Sequence, residues 1–392
     1  MTVLVINSGS SSIKYQLVDP ESGEALAVGL VEQIGEGSSH IKHTYRGEKH
    51  EFDEPLADHG EGLRYVLNLF DTIGPKLSEA GIKAVGHRVV QGGNHFDSPV
   101  LITPEVRDLV EELSPLAPLH NPANLRGIDV ARDLLDVPHV AVFDTAFFQT
   151  LPEEAARYAL NREVADKYGI RRYGAHGTSH QFVSESVTEY VGRTDLKQIV
   201  LHLGNGASVS AVVNGKAVDT SMGLTPLEGL VMGTRTGDID PAAIFHLRRV
   251  GGMNVDEIDN LFNKQSGLKG LAGENDMRAV WALAEGGDAH AREGLDIYVH
   301  RIVKYIGSYA AVMGGLDVIA FTAGIGENDD LLRTEVVERL KGFGLTLDES
   351  QNAIRGDEIR QISTDESSVQ VLVVPTNEEL AIARAAMEII NK

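Results

Sequence analysis

The stretch VLVINSGSSS at residues 3–12 and the stretch IVLHLGNGAS at residues 199–208 decide the fold. Each is an apolar run that enters a tight loop of small residues, and a second apolar run follows each loop. This pattern predicts a strand, a loop and a second strand that returns antiparallel to the first. Gly206 lies 197 positions after Gly9 (206 − 9), about half of the 392 residues of the chain. The repeat therefore predicts two similar domains that face each other across a cleft.

Strand and helix patterns alternate along the rest of the chain, which predicts a mixed α/β protein. Strands are expected at residues 3–6, 13–18, 84–90, 139–143, 198–203, 208–213, 318–322 and 369–374. Helices are expected at residues 62–73, 104–113, 122–135, 182–190 and 242–249. Thr178 and Gln181 form a capping-box pattern ahead of the fourth helix, and Asp240 followed by Pro241 opens the fifth.

The composition argues against several classes of function. The chain is 42% hydrophobic and 23% charged, and no apolar stretch reaches the roughly 18–20 residues of a membrane span. A formal net charge of −22 disfavours a broad nucleic-acid-binding surface. The N-terminus lacks the basic region of a signal peptide, and without cysteine there is no disulfide framework and no thiolate site. We therefore expect a cytoplasmic protein with no nucleic-acid or membrane partner.

The two small-residue loops suit a phosphate, because they expose successive backbone N–H groups without bulky side chains. The first loop adds several serine hydroxyls and the cation of Lys14. Either loop alone could be a solvent-exposed hairpin turn, but the pair predicts a nucleotide polyphosphate held from two sides. A third glycine loop, FTAGIGEN at residues 321–328, follows an expected strand and precedes a helix expected at 329–341. That helix N-terminus would favour an anion, although a plain strand-to-helix turn has the same pattern.

Other common phosphate and metal signatures are missing from the sequence. It has no Walker A motif, no protein-kinase motif set and no H-E-x-x-H zinc motif. His176 and His180 have the i, i+4 spacing of a helical metal pair. Gly177 and the expected cap at Thr178 place a loop between them, so we do not expect a metal there.

Eight segments in order along the chain carry a resemblance to a known family. They are VINSGSSSIKY (5–15), GHRVVQGG (86–93), VFDTAFFQTLP (142–152), RRYGAHGTSH (171–180), HLGNGASVSA (202–211), MGTRTGDIDP (232–241), FTAGIGEN (321–328) and VPTNEELAIAR (374–384). Together they resemble the acetate kinases, members of the superfamily of sugar kinases, heat-shock chaperones and actin. The resemblance implies two RNase H-like domains, with domain I at 1–148 plus 379–392 and domain II at 149–378. It also implies a homodimer.

The resemblance assigns roles to four residues around the reacting groups. Arg88 would hold the substrate carboxylate, which a guanidinium matches with two hydrogen bonds, although such an arginine could also form a surface ion pair. Arg235 and His176 would contact the phosphoryl group in transfer, although His176 could be a buried structural histidine. Asp144 matches an active-site aspartate. A small carboxylic acid is already ionised at neutral pH, so we expect Asp144 to position Arg235 or hydrated Mg²⁺ and not to act as a base.

The resemblance also implies Mg-ATP as co-substrate, with Mn²⁺ as a substitute metal and ADP as product. Asn7 and Glu378 would contribute to the metal site, and Lys14 to the phosphate site. The remaining nucleotide residues would be His202, Leu203, Gly204, Asn205, Gly206, Asp276, Met277, Arg278, Gly324, Ile325, Gly326, Glu327 and Asn328. The alternative for residues 276–278 is an exposed helix start without a ligand.

The reaction implied is reversible, direct in-line transfer of the γ-phosphoryl group of ATP to acetate, which gives acetyl phosphate and ADP. A propionate or butyrate kinase of the same family is an alternative, since Ala175 stands where the family commonly has phenylalanine beside the acyl group. An actin-like or chaperone-like ATPase is a second alternative, which would turn over ATP without any added carboxylate.

Overall fold

The computed structural model describes residues 1–9 and 11–392, which form two compact units. Unit 1 contains Met1–Gln149 and Asn377–Lys392, and unit 2 contains Thr150–Thr376. The expected domain boundaries fall after residue 148 and after residue 378. Glu378, expected in domain II, lies in unit 1, because it is the first residue of the C-terminal helix that packs in that unit.

Strands and helices alternate along the chain, which confirms the mixed α/β prediction. The strands are β1 (Thr2–Ser8), β2 (Ile13–Val18), β3 (Ala25–Glu32), β4 (Ser39–Tyr45), β5 (Glu48–Glu54), β6 (Ile82–Val89), β7 (Val100–Leu101), β8 (His139–Phe143), β9 (Lys197–Leu203), β10 (Ala207–Val213), β11 (Lys216–Thr220), β12 (Val318–Thr322), β13 (Arg360–Gln361) and β14 (Gln370–Val373). The helices are α1 (His59–Thr72), α2 (Pro104–Glu112), α3 (Asn121–Leu134), α4 (Glu153–Ala156), α5 (Arg162–Tyr168), α6 (Gly177–Val191), α7 (Ala242–Arg249), α8 (Val255–Lys264), α9 (Gly267–Ala272), α10 (Met277–Glu285), α11 (Ala289–Val312), α12 (Ala323–Asn328), α13 (Asp330–Arg339), α14 (Glu349–Asn352) and α15 (Glu378–Ile390).

Unit 1 is built on an eight-stranded sheet in the order β5-β4-β3-β2-β1-β6-β8-β7. β1, β6 and β8 are parallel, and β2 to β5 continue the sheet as an antiparallel meander. All five residues of β8 are buried, as expected of a parallel strand covered on both faces. α15 packs against β1 and β6, and it approaches closely where β6 has Gly86. A Cβ at Gly86 would lie 2.6 Å from Cγ2 of Ile382, so the contact requires glycine.

Unit 2 is built on a six-stranded sheet in the order β11-β10-β9-β12-β14-β13. β9, β12 and β14 are parallel, and β10 returns antiparallel to β9. The core lies between this sheet and α11, with Leu201, Phe321, Tyr298 and Val299 all buried. Strands β3-β2-β1-β6-β8 and β11-β10-β9-β12-β14 follow the same order and directions. The repeat predicted from residues 3–12 and 199–208 is therefore confirmed as a duplicated sheet.

Two local predictions were wrong. The expected capping box at Thr178 is not formed, because α6 already begins at Gly177, with His176 as N-cap residue at φ 60°. The segment 321–328, expected as a loop, is largely the helix α12, which starts directly after β12. The carboxylate of Glu327 accepts a hydrogen bond of 2.8 Å from the backbone N–H of Ala323, and this bond stabilises the first turn.

Other helix ends lie close to their capping signals. α7 begins at Ala242 with Pro241, and not the expected Asp240, as its N-cap residue, although the carboxylate of Asp240 accepts a hydrogen bond of 2.9 Å from the N–H of Ala242. Gly192 ends α6 in the left-handed conformation, and Asp329 caps α13, which runs over Asp330–Arg339 instead of 329–341. None of the helices in the described part of the chain combines the length and the apolarity needed to span a membrane.

Candidate active site

The polar residues of unit 1 gather at the carboxyl edge of its parallel strands. Asn7 lies near the end of β1, Arg88 near the end of β6, and Asp144 directly after β8. Because these strands are parallel neighbours, their carboxyl ends meet at one edge of the sheet. Glu378, the first residue of α15, lies at the same edge, with its Oε2 4.0 Å from Nε of Arg88.

Arg88 and Asp144 form a two-point ion pair. Nε of Arg88 donates to Oδ1 of Asp144 at 3.0 Å, and Nη2 donates to Oδ2 at 2.6 Å. Burial works against the charge of Arg88, but the nearby Asp144 and Glu378 outweigh it and raise the pKa of the guanidinium. Asp144 was expected to position Arg235 or hydrated Mg²⁺; the partner found for it in unit 1 is Arg88. The third nitrogen, Nη1, lies 3.4 Å from Oδ1 of Asn7.

Glu378 has the most perturbed carboxyl group of this edge. Burial raises the pKa of Glu378 to about 7; Arg88 opposes the rise, while Asp144 and Glu379 add to it. Lys14 also acts on this group and is the cross-strand neighbour of Asn7 in the β1–β2 pair. Unit 1 thus brings together five predicted site residues, including Glu378, which was expected in domain II.

Asn7 and Glu378 offer an amide oxygen and a carboxylate, which are ligands that Mg²⁺ prefers. Among the described residues, no group of three or more His, Asp or Glu side chains is arranged to hold a metal ion. The donor set therefore fits an ion that keeps water and phosphate oxygens as most of its ligands, and it does not fit a metal enclosed by protein.

The first small-residue loop is held from several sides. The N–H of Gly9 donates to the carbonyl of Ser12 at 2.8 Å, and the side chains of His59 and Asn124 donate to the carbonyls of Gly9 and Ser8. The buried hydroxyl of Ser8 has no hydrogen-bond partner among the described residues. Ser10, whose hydroxyl was part of the predicted phosphate cradle, lies outside the described residues.

In unit 2, imidazole and hydroxyl groups connect α6 to the sheet. Nδ1 of His176 lies 2.9 Å from Oγ of Ser208, which lies 2.7 Å from Nε2 of His180. The ring of His202 stacks on that of His176 with centroids 4.2 Å apart. The segment between His176, the N-cap residue of α6, and His180 is thus helical and not the expected loop, and a serine hydroxyl bridges the two rings.

Arg235 lies close to His176. A Cβ at Gly206 would lie 3.5 Å from Nε2 of His176 and 3.7 Å from Nη1 of Arg235, so both side chains face this glycine. Nη1 of Arg235 donates to the carbonyl of Pro226 at 3.2 Å, and burial lowers the pKa of the guanidinium. No carboxylate pairs with Arg235 in the described part of the chain. A partly buried cation held by a carbonyl is suited to an anion.

The loop that carries Arg235 is tied to the segment that carries His176. Nη2 of Arg172 donates to Oε1 of Glu228 at 2.8 Å, and the hydroxyl of Tyr158 donates to Oε2 of the same carboxylate. Arg172 precedes His176 by four residues, and Glu228 precedes Arg235 by seven. This ion pair holds the two segments in a fixed relation.

A cavity of about 780 Å³ lies in unit 2 beside the second small-residue loop. Its lining includes eight of the residues predicted to bind the nucleotide, namely Gly204, Asn205, Asp276, Met277, Arg278, Gly324, Ile325 and Asn328. Asp276 caps α10 and receives two hydrogen bonds from the side chain of Arg278; these bonds lower the pKa of Asp276 to about 2. Residues 276–278 thus form a helix start, as the alternative prediction had it, and they also line the cavity.

Five predicted nucleotide residues of unit 2 do not line this cavity. They are His202, Leu203, Gly206, Gly326 and Glu327. Leu203 is fully buried in the core. Glu327 has a structural contact instead, since its Oε1 accepts from the N–H of Ala323 at 2.8 Å and from that of Thr376 at 3.0 Å.

Several residues at these sites were missed in the sequence. Trp281 and Asp329 line the cavity, and the indole N–H of Trp281 donates to Oδ2 of Asp329 at 2.7 Å. Trp281 lies one helical turn after Met277 on α10, a spacing that could have indicated it. Ser208 and Ser210 read as ordinary strand residues, because their histidine partners come from a distant segment.

Ala175, which stands where the family commonly has phenylalanine, is 3% exposed and belongs to the hydrophobic core of unit 2. A phenylalanine at this position would therefore need space within that core. The effect on acyl selectivity stays a prediction.

Comparison with known proteins shows the family to which the chain belongs. The model of the acetokinase family matches residues 2–384. A protein of Leifsonia xyli named acetate kinase is 55% identical over 389 residues, which cover 98% of this chain and 98% of its own length. The crystal structure of Porphyromonas gingivalis acetate kinase superposes with a TM-score of 0.94 at 45% identity, covering 99% of both chains. A propionate kinase of Francisella tularensis also gives a TM-score of 0.94, at 41% identity and 99% coverage of both chains.

Proposed function

The chain belongs to the acetokinase family, and on that premise we propose that it transfers the γ-phosphoryl group of ATP to acetate. The products are acetyl phosphate and ADP, and the reaction is reversible. The observation that carries this proposal is the family match over residues 2–384, which includes all eight motifs, at 55% identity to a relative named acetate kinase.

We propose that Arg88 binds the carboxylate of the acid. Its Nε and Nη2 are held by Asp144, so the guanidinium is fixed and Nη1 is directed toward Asn7. A preorganised cation binds an anion without the cost of ordering its own side chain. Asp144 then acts by positioning Arg88. The acceptor needs no general base, because a small carboxylic acid with a pKa near 4.3 is ionised at neutral pH.

Arg235 and His176 are proposed to stabilise the phosphoryl group during transfer. In that transition state negative charge is spread over three oxygens, and catalysis depends on donors that are already in position. The convergence of Nη1 of Arg235 and Nε2 of His176 on Gly206 supports this role. The cavity beside Gly204 and Asn205 would receive the nucleoside, with Asp276, Arg278 and Gly324 among its walls.

Asn7 and Glu378 would hold Mg²⁺ together with oxygens of ATP, and Lys14 would add a positive charge at the same edge. When bound, the ion neutralises charge on the phosphate oxygens. We further propose that units 1 and 2 are the two RNase H-like domains, and that the protein works as a cytoplasmic homodimer. The family resemblance supports these last points.

The test is a coupled assay of acyl hydroxamate and ADP. The purified protein is incubated with Mg-ATP and hydroxylamine, and with acetate, propionate or butyrate in separate reactions. Acetate is expected to give the highest kcat/KM, with hydroxamate and ADP formed in equal amounts. A higher value with propionate would move the assignment to a propionate kinase. Formation of ADP at the same rate without any acid would leave an ATPase.

A further inference from the structure

Two serines of β10 connect the histidines of α6 into one chain of hydrogen bonds. Oγ of Ser208 lies 2.9 Å from Nδ1 of His176 and 2.7 Å from Nε2 of His180. Oγ of Ser210 lies 2.7 Å from Nδ1 of His180. The order along the chain is His176, Ser208, His180 and Ser210. Ser208 and Ser210 lie two apart on β10 and share a face of that strand. They meet His180 in the first turn of α6 and His176, the N-cap residue of that helix.

The interior members of this chain are completely buried. His180, Ser208 and Ser210 have no exposed surface. Burial lowers the pKa of His180 well below its usual value, and His202 lowers it further. His180 is therefore neutral and carries one N–H, which donates to one serine while the other ring nitrogen accepts from the other serine.

One direction of donation gives each buried proton of His180, Ser208 and Ser210 an acceptor. In it, the hydroxyl of Ser210 donates to Nδ1 of His180, and Nε2–H of His180 donates to Ser208. The hydroxyl of Ser208 then donates to Nδ1 of His176. A neutral His176 must in that case carry its proton on Nε2, the nitrogen that faces Gly206 beside Arg235.

The other arrangements leave a buried proton without an acceptor. If the direction is reversed, Nδ1–H of His180 donates to Ser210, and the hydroxyl proton of Ser210 has no acceptor among the described residues. If both histidines donate to Ser208, the hydroxyl proton of Ser208 has no acceptor among the described residues. A buried donor without an acceptor loses its hydrogen bond to water and gains nothing in return.

We propose that Ser208 is a positioning residue that keeps His176 neutral, with its proton on Nε2, so that this N–H donates to the phosphoryl group in transfer. The stacked ring of His202, whose Nδ1 lies 2.8 Å from Oγ of Ser179, fixes the orientation of the imidazole. The part about phosphoryl transfer rests on the proposed function, whereas the protonation of His176 does not.

The direct test is the tautomer of His176 by NMR. The full-length protein, labelled with ¹⁵N-histidine, is examined by two-bond ¹H–¹⁵N correlation at pH 7.5, and the His176 signals are identified by their loss in His176→Gln. We expect a protonated Nε2 and an unprotonated Nδ1 in the wild type. A protonated Nδ1, alone or in an imidazolium, would overturn the proposal. The tautomer is measured on the wild-type protein, and His176→Gln serves only to identify the signals.

Variants of Ser208 test the positioning. In Ser208→Ala the His176 signals should move toward a mixture of tautomers, and Ser208→Thr should restore the wild-type pattern. Ser184→Ala is a matched control, because Ser184 lies on the same helix and its buried hydroxyl has no partner among the described residues. Unchanged His176 signals in Ser208→Ala would refute the role of Ser208.

Kinetics separate this proposal from the proposed function. In Ser208→Ala, kcat for hydroxamate formation should fall about tenfold, as when a preorganised donor is weakened. KM for acetate and the Kd for ADP, followed by the fluorescence of Trp281 in the cavity, should stay unchanged. Wild-type protein without acid-dependent hydroxamate would refute the proposed function, and the NMR result would still decide the tautomer. A raised Kd with an unchanged kcat would contradict the positioning role.

Discussion

Units 1 and 2 share the order of five strands but differ in the chemistry at the carboxyl edge of those strands. In unit 1 this edge has an ion pair, Arg88 with Asp144, next to the carboxyl group of Glu378. In unit 2 the corresponding edge is built from imidazoles and hydroxyls, such as His202 at the end of β9, bonded to Ser179, which in turn contacts Thr376 after β14. One backbone plan thus supports a charged edge and a neutral one.

The difference follows from what each edge is proposed to bind. An acid and a metal ion are small charged groups, and fixed charges close to them give strong discrimination. A nucleotide is large and already highly charged, and unit 2 offers a cavity of about 780 Å³, with the partly buried Arg235 facing Gly206 in the adjacent loop. The comparison teaches that the duplicated sheet determines the place where polar side chains meet. The sequences at the strand ends and in the loops determine which side chains those are.

Removal of Arg88 should have the largest effect. Arg88→Ala leaves Asp144, which is fully buried, without its ion-pair partner, and should cost about 3–5 kcal/mol of stability. kcat/KM for acetate should fall by about a thousandfold, which matches the loss of a desolvated charge pair. Urea denaturation and the hydroxamate assay measure the two effects.

Arg107→Ala is the matched control for this prediction. Arg107 also makes a two-point bond, to Asp129, with Nε 3.2 Å from Oδ1 and Nη2 3.0 Å from Oδ2, but it lies outside the site. This variant should keep wild-type turnover. Equal losses in both variants would mean that Arg88 acts only through folding.

Loss of Arg235 should affect unit 2 in a different way. Arg235→Ala should lower kcat by about a hundredfold, because a preorganised donor to the transition state is removed. The Kd for ADP from Trp281 fluorescence should stay within about twofold of the wild type, since Arg235 does not line the cavity. Arg248→Ala, at an exposed arginine of α7, serves as the control. A large loss of ADP affinity with unchanged kcat would contradict the assignment.

The charged edge should also respond to pH near neutrality. Because the pKa of Glu378 is raised to about 7, its carboxylate becomes protonated below pH 7 and no longer binds a cation. The apparent KM for Mg²⁺ should therefore rise by up to about tenfold per pH unit below pH 7. Glu378→Gln should remove this dependence, whereas Glu379→Gln should keep it. A flat profile in the wild type would argue against Glu378 as a metal ligand.

The smallest expected effect concerns stability in mild acid. Burial lowers the pKa values of His87 and His139 in unit 1, whose rings are bonded at 2.9 Å, and that of His180 in unit 2. Above about pH 6.5 these histidines are neutral in both the folded and the unfolded state, so they do not lower the free energy of unfolding. Below it the unfolded state binds protons that the folded state does not, and stability falls by up to about 1.4 kcal/mol per histidine and pH unit.

Urea midpoints between pH 7.5 and 5.5 measure this decline. Glu378 has the opposite effect on stability: because its pKa is raised in the folded state, its protonation stabilises that state as the pH falls. Glu378→Gln removes this contribution. His139→Gln should reduce the slope. Midpoints that stay constant down to pH 5.5 would show that the buried histidines are not held neutral.

The sequence predicts the parts of this structure that depend on local pattern. Apolar runs and glycine positions can be taken directly from the sequence. They therefore predict the small-residue loops after β1 and β9 and the buried parallel strands. The cap at Thr178 and the loop at 321–328 were mispredicted. Both segments are held by distant partners, with Ser179 bonded to Thr376 and Glu327 to the N–H of Thr376.

In the site, too, local sequence predicts the residues but not the contacts between them. Arg88, Asp144 and Arg235 are found from their motifs, but the bond between Arg88 and Asp144 depends on two strands meeting in space. The chain of hydrogen bonds through Ser208 depends on the register of β9 and β10 and on the residue at which α6 begins. Such pairings are tertiary contacts, and the propensities of short segments carry no information about them.

The stereochemistry of phosphoryl transfer tests the central claim most directly, namely that the proposed reaction passes the phosphoryl group from ATP to the acid in one step. ATP with a γ-phosphoryl group made chiral by oxygen isotopes and sulfur is turned over with acetate, and the configuration of the acyl phosphate is determined. A single in-line displacement predicts inversion at phosphorus. Retention would require two displacements through a phosphorylated side chain and would contradict the account.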